Sequence, residues 1–184
     1  MLAGKNIDFE RIRSQLIIKN NMPAKKHVLI TGVNGLIGSV LQTALADIFE
    51  VIGLDKAGVT KRKTFIVNLS DYNETRNQFK KIGPIDYIVH LAGNASAETP
   101  WEIIFKDNFQ TARNIYECAR EFRVKRVILA GSTHMFGGYK GYPNSSPLGR
   151  KISLNDPPLS DSDYGDSKIY AETLARRYYD QHKI

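Results

Sequence analysis

From Lys26 onward, short continuous apolar runs alternate with segments whose apolar residues recur at helical spacing. The runs are His27-Val-Leu-Ile-Thr31, Val51-Ile-Gly-Leu54, Phe65-Ile-Val67, Tyr87-Ile-Val-His-Leu91 and Val127-Ile-Leu-Ala130. They do not alternate apolar with polar, which is the pattern of strands buried on both faces of a parallel sheet. Between them, residues 36–49 place Leu36, Ile37, Val40, Leu41, Ala44, Leu45 and Ile48 on one helical face. Asp71–Ile82 reads as a helix closed by Gly83-Pro84, Pro100–Phe122 as one long helix, and Tyr164–His182 as the last. Strand and helix in strict alternation predict an α/β fold with helices on both faces of a parallel sheet.

Two segments stand outside this rhythm. Residues 134–163 have no periodicity and hold four of the seven prolines and four of the fourteen glycines. A loop of that length inside a compact domain is usually functional or disordered. At the other end, Phe9, Ile12, Leu16 and Ile17 recur at helical spacing, so 7–18 is a candidate short helix, broken by Asn20, Asn21 and Pro23. The expected organisation is an N-terminal extension over 1–24 and one α/β domain over 25–184.

Composition narrows the class. The net charge of +7 invites a nucleic-acid reading, but residues 1–26 carry six basic groups against two acidic ones, so +4 of it lies in the extension. A nucleic-acid-binding body should show its basic stripe on the folded domain, and no such partner is expected. No apolar run approaches the length of a membrane span, and 1–21 lacks the continuous apolar core of a secretory signal. With Cys118 the sole cysteine, no internal disulfide or cysteine-based metal cluster is possible, and no His or carboxylate cluster has metal-ligand spacing. A cytoplasmic protein with no metal and no membrane association is the expectation.

The chemistry begins at Thr31-Gly32-Val-Asn-Gly35-Leu-Ile-Gly38, between the first strand and the first helix. One glycine permits the tight turn, the next lets backbone approach a pyrophosphate, and the third lets the helix pack closely on the strand. The helix amides then face the anion. Asp55 ends the second strand, 17 residues after Gly38, where a carboxylate accepts hydrogen bonds from a ribose diol. That carboxylate would repel a 2′-phosphate, which favours NAD over NADP. Lys56 and the Lys61-Arg62-Lys63 run are the opposing features, read here as a solvated face.

Tyr164-Gly-Asp-Ser-Lys168 opens the last helix, and residues four apart share a helix face. A free tyrosine titrates near ~10, too high for proton transfer at neutral pH. A neighbouring ammonium stabilises the phenolate and lowers that value. Ser132, after the fifth strand, can hydrogen-bond the same substrate oxygen.

Taken in order, the glycine motif, His90-Leu-Ala-Gly93, Asn108, Ser132 and Tyr164-x-x-x-Lys168 resemble the extended short-chain dehydrogenase/reductase group, the NAD-dependent epimerase/dehydratase family. Ser96-Ala-Glu-Thr-Pro-Trp101, Gly131-Ser-Thr-His-Met-Phe-Gly137 and Leu159–Lys168 look most like its uronate and aldose dehydrogenases. The resemblance covers about Lys26 to Ile184. It implies a Rossmann-like doubly wound sheet with strands in the order 3-2-1-4-5, and NAD as cofactor. Gly32, Asn34, Gly35, Leu36, Ile37, Gly38, Asp55, Asn68, Leu69, Leu91, Ala92, Gly93, Tyr164 and Lys168 would hold that cofactor. It further implies Tyr164 as general base and Lys168 as the group that lowers its pKa and binds the nicotinamide ribose. Ser132 would position a sugar hydroxyl, and Asn108 would support the lysine and a proton relay. Ser96, Ser132, Thr133 and His134 would line the sugar site. In this family a homodimer commonly forms through the surfaces of helices 100–122 and 164–182.

The sequence departs from the family at several points. Thr133 stands where an asparagine is usual, and Asn68-Leu69 where Asp-Leu is usual. The family's sixth and seventh strands and its small substrate-binding subdomain have no counterpart among these residues, which would leave the fifth strand as an apolar edge. Hence a nucleotide-sugar 4-epimerase or dehydratase, and a non-catalytic NAD-binding module should the chain naturally end at 184, stay open beside the sugar dehydrogenase. Among lesser candidates, His90 is expected as a core histidine with backbone contacts. Trp101 is expected to cover a helix start, Cys118 to be buried packing, and Arg176-Arg177 to be solvated.

Overall fold

The computed structural model describes residues 24–58, 63–139, 151–153 and 155–184. The expected helix over 7–18, the pair Lys61-Arg62 and much of the long loop lie outside the described residues. Five strands, β1 (His27–Thr31), β2 (Glu50–Asp55), β3 (Thr64–Ile66), β4 (Tyr87–His90) and β5 (Arg126–Leu129), form one sheet in the order β3-β2-β1-β4-β5. Every pairing is parallel, and the register sets Thr31 beside both Leu54 and His90, with His90 beside Leu129. The strand ends therefore finish at one level, and the turns that follow share one rim.

The helices are α1 (Leu36–Leu45), α2 (Tyr72–Ile82), α3 (Trp101–Ile104), α4 (Thr111–Glu121) and α5 (Asp163–His182). Asp71 caps α2 by accepting the Glu74 N–H at 2.9 Å, and Gly83, at φ 84°, closes it. Ser162 caps α5 by accepting the Gly165 N–H at 3.2 Å. That cap fixes where the helix begins, and so where Tyr164 points. Because β1 pleats, Leu29 enters the larger core with Phe79, Ile115, Tyr116, Leu174 and Tyr178, while Val28 and Ile30 enter a smaller one with Val33 and Val89.

The smaller core corrects one expectation. The face predicted over 36–49 is not buried as a unit: Leu36 is 87% exposed and Val40 63%, and the helix stops at Leu45. Only Leu41 and Leu45 lean on the cluster, and α1 is the sole described helix that contributes to it. On the same face Ile128, which pairs with Val89, is 54% exposed. The periodicity marked a helix correctly, but no second described helix covers its outer flank.

A second correction concerns the helix predicted over 100–122. It contains a π-helical segment at Phe105–Gln110 between α3 and α4. The Thr111 hydroxyl donates to the Lys106 carbonyl at 3.2 Å, five residues back, and so occupies the widened turn. Such segments recur at functional sites, and this one carries Asn108 into the interior. The remaining boundaries shift by a residue: β3 begins at Thr64, β4 stops at His90 and β5 at Leu129.

Candidate active site

The glycine loop lies against the end of β4. Gly32 adopts φ +70°, and a Cβ there would come within 2.8 Å of the Ala92 nitrogen. A Cβ on Gly38 would meet the Gly32 carbonyl oxygen and stand 2.7 Å from the Val33 Cα, so α1 packs directly on the turn. Gly35 is the N-cap of α1, with no side-chain cap and no acidic residue in the first turn. The amides there are thus left to an anion. Leu36 and Ile37 expose their side chains, and what they offer the anion is backbone N–H.

A cavity of ≈ 370 Å³ opens from this loop along the rim. Gly32, Asn34, Gly35, Asp55, Asn68, Leu69, Leu91, Ala92 and Gly93, all residues that the resemblance assigns to the cofactor, line it. Lys56, Ala57, Gly58, Ser70, Asp107 and Thr111 also line it. Asp55 accepts the Asn34 N–H at 2.8 Å on one oxygen and the Lys56 N–H at 2.8 Å on the other, which leaves lone pairs for a diol. Asn68 turns its amide oxygen onto Ser70, accepting the Ser70 N–H at 3.2 Å and hydroxyl at 2.8 Å. Lys63, of the basic run, pairs with Glu50 at 2.6 Å.

Thr31 joins the two halves of the rim. Its hydroxyl accepts the Leu91 and Ala92 N–H groups at 3.2 and 3.1 Å and stands 2.7 Å from His90 Nδ1. With both amides donating to it, the single hydroxyl proton goes to Nδ1, which makes His90 a neutral Nε2–H imidazole. Burial, and secondarily the charge of Lys168, push its pKa down to about 3. His90 is therefore a core histidine as expected, but its partner is a side chain, not backbone.

The second cluster forms where α5 meets the end of β5. Tyr164 is buried, and Lys168, one turn on, places its Nζ 5.8 Å from the Tyr164 ring centre. Lys168 donates to the Ala130 carbonyl at 3.0 Å, and its pKa is lowered by burial. Ser132 accepts the His134 N–H at 3.2 Å, and the His134 ring meets Tyr164 edge-on at 5.4 Å between centres. His134 Nδ1 is in turn paired with Asp161 at 2.7 Å. Ser132, His134, Tyr164 and Lys168 are thus brought together, with Thr133 exposed at the start of a 3-10 turn over Thr133–Tyr139.

Asn108 is buried and bonded to two other segments. Its oxygen accepts the Asn94 N–H at 2.7 Å, and its amide donates to the Asn94 carbonyl at 3.0 Å and to Ser167 Oγ at 2.9 Å. Ser167 then donates to the Tyr164 carbonyl at 2.7 Å. The Asn108 side chain is thus linked to the Tyr164 carbonyl through the Ser167 hydroxyl. Ser96 is exposed and bonded within its own loop, to Asn94, Glu98 and Thr99. Ser167, Asn94 and Asp161 were missed. Ser167 was readable inside Tyr-x-x-Ser-Lys, whereas nothing in the spacing marked Asp161.

Away from the site, Trp101 packs against Phe105 at a tilt and edge-on against Phe109, with ring centres 5.5 Å apart in each pair. Cys118 is buried and its thiol is pushed up to about 12. Among the described residues no helix is long and apolar enough to cross a membrane.

A parallel sheet in this order, with a glycine turn, an open helix N-terminus and a carboxylate at the neighbouring strand end, defines a dinucleotide-binding Rossmann-type domain. The model of the NAD dependent epimerase/dehydratase family matches residues 28–184, and the chain belongs to that family. It is 34% identical over 161 residues to a uronate dehydrogenase from Agrobacterium fabrum, a match that covers 85% of this chain and 57% of that protein. A mutant uronate dehydrogenase from Agrobacterium tumefaciens, solved in complex with NAD, superposes with a TM-score of 0.74 at 31% identity. That match covers 86% of this chain and 58% of the other. A UDP-glucose 4-epimerase from Thermus thermophilus, also with NAD, gives 0.72 at 27% identity, covering 86% and 52%. The chain thus spans little more than half the length of these relatives. NAD is the cofactor that these relationships support, and the uncapped helix and glycine cradle fit its pyrophosphate.

Proposed function

We propose that this chain carries the cofactor half and the proton-transfer residues of an NAD-dependent oxidoreductase acting on a sugar or sugar acid. The observation that carries the reading is the half-buried Lys168, one helical turn from Tyr164 and anchored to the carbonyl two residues before Ser132. Bound NAD supplies the hydride acceptor. Tyr164 Oη takes the proton of the substrate hydroxyl, and the hydride from the same carbon would pass to NAD, so the C–O bond becomes a carbonyl. Lys168 Nζ, 5.8 Å from the Tyr164 ring centre, sets a positive charge beside the proton-accepting group. Ser132 Oγ donates to the same oxygen and orients it. His134 lies against Tyr164, and Thr133 and Ser96 are exposed; with these as its lining, the substrate is proposed to be a cyclic aldose or uronic acid oxidised at its anomeric carbon. Asn108 is assigned the positioning of the Tyr164 turn through Ser167.

The relatives also favour a second reading, in which the same dyad serves a nucleotide-sugar 4-epimerase. Incubation with NAD and a panel of aldoses and uronic acids, read as NADH formed, separates the two. Net NADH supports the dehydrogenase, while tightly retained cofactor without net NADH supports the epimerase. If neither appears and Tyr164→Phe changes nothing measurable, the chain is a dinucleotide-binding module. A homodimer through the surfaces of helices 100–122 and 164–182 is part of the proposal, testable by sedimentation.

A further inference from the structure

The cofactor cavity has two walls. One is the end of β2 with Asp55, Lys56 and Ala57, and the other is the π-helical segment with Asp107. Lys56 Nζ and Asp107 Oδ2 meet at 2.5 Å and join these walls. Among the described residues lining the cavity, Lys56 is the only cation. Its backbone N–H is fixed to the Asp55 carboxylate, so its side chain starts beside the group that faces the ribose. An ammonium at that position is the natural partner of a ribose 2′-phosphate, and Asp107 takes it first. Lys56 is 66% exposed and Asp107 20%, so the acidic partner is the better held of the two.

We propose that Asp107 is a specificity-determining residue for the dinucleotide: it holds the Lys56 ammonium on the opposite wall and so preserves the preference for a ribose diol over a 2′-phosphate. This rests on the assignment of Asp55 to the ribose. On this view Asp55 alone does not set the choice. Asp55 repels the phosphate, and Asp107 withholds the cation that would compensate. Lys56 would otherwise make a charge-assisted hydrogen bond to the phosphate, a strong class of contact.

The test is calorimetric binding of NAD and NADP, each alone, to the full chain, with no turnover required. Asp107→Asn should tighten NADP and narrow the NAD-to-NADP Kd ratio about tenfold, the size expected for one charged hydrogen bond. Lys56→Ala alone should leave the ratio within about twofold, and Asp107→Asn with Lys56→Ala should return it to the starting value. Asp107→Glu, which keeps the pair, should keep the ratio. An unchanged ratio in Asp107→Asn, with NAD still bound, overturns the inference and leaves the cofactor assignment standing. A gain that survives in the double variant overturns it as well, because the lysine is then not the phosphate's partner. A starting chain that binds neither nucleotide overturns both the inference and the assignment on which it rests.

Discussion

The ammonium of Lys168 is tied to the Ala130 carbonyl at 3.0 Å, so α5 is fastened to the strand end that leads into Ser132. One hydrogen bond thus aligns two elements that are far apart in sequence. It also keeps a positive charge beside the buried Tyr164 ring.

Replacing Lys168 with Met should therefore remove both the charge and the tether. Turnover of an accepted sugar should fall by about 10²–10⁴-fold, the range of a lost acid–base contribution. Thermal stability should fall much less. Steady-state kinetics with parallel melting curves check this, and equal losses in both would make the lysine merely structural.

His90 makes stability depend on pH. Its ordinary value is 6.5 and its folded value is pushed down to about 3, with burial as the first cause. The native state therefore refuses a proton that the unfolded chain accepts. The contribution is complete above pH 6.5 and is lost as pH falls from there towards 3. The slope is at most about 1.4 kcal/mol per pH unit from this group. Urea melts across that window should show the slope, and His90→Gln should flatten it.

Gly38→Ala should damage both the fold and the cofactor site, because its Cβ has no room against Gly32 and Val33. Overpacking of this kind costs about 1–3 kcal/mol. The rise in melting temperature that NAD gives the unaltered chain should shrink with it. Differential scanning fluorimetry with and without NAD measures both effects.

Ile128→Lys addresses the uncovered flank. At 54% exposure the side chain contributes little packing, so stability should change by no more than about 0.5 kcal/mol. A lysine beside an open apolar strand edge should reduce self-association. Light scattering across a concentration series would register the change, and a variant that scatters as before would place self-association elsewhere.

Much of this architecture was legible because parallel strands and glycine turns leave local marks. The five apolar runs, Gly32 to Gly38, and Tyr164 with Lys168 all sit where spacing placed them. What escaped depends on three-dimensional closure. The flank of α1 looked like a buried face, yet Leu36 and Val40 meet no second described helix. The bond of His90 to Thr31 joins residues 59 apart in sequence, and no local pattern encodes a partner at that distance. Asp107 sits beside Asn108 in a stretch that reads as ordinary helix. Only the widened turn and the neighbouring wall reveal what it faces.

That widened turn is, in effect, a phase shift. A regular helix advances about 100° per residue, and a π turn takes up one residue more than an α turn before the hydrogen bonds resume. Everything after Gln110 is consequently set back by one step relative to Trp101 and Ile104. Excising a single residue from 105–110 would restore an unbroken helix while swinging Asn108 away from Asn94 and Ser167. The segment can therefore absorb substitutions on its surface but not a change in its residue count.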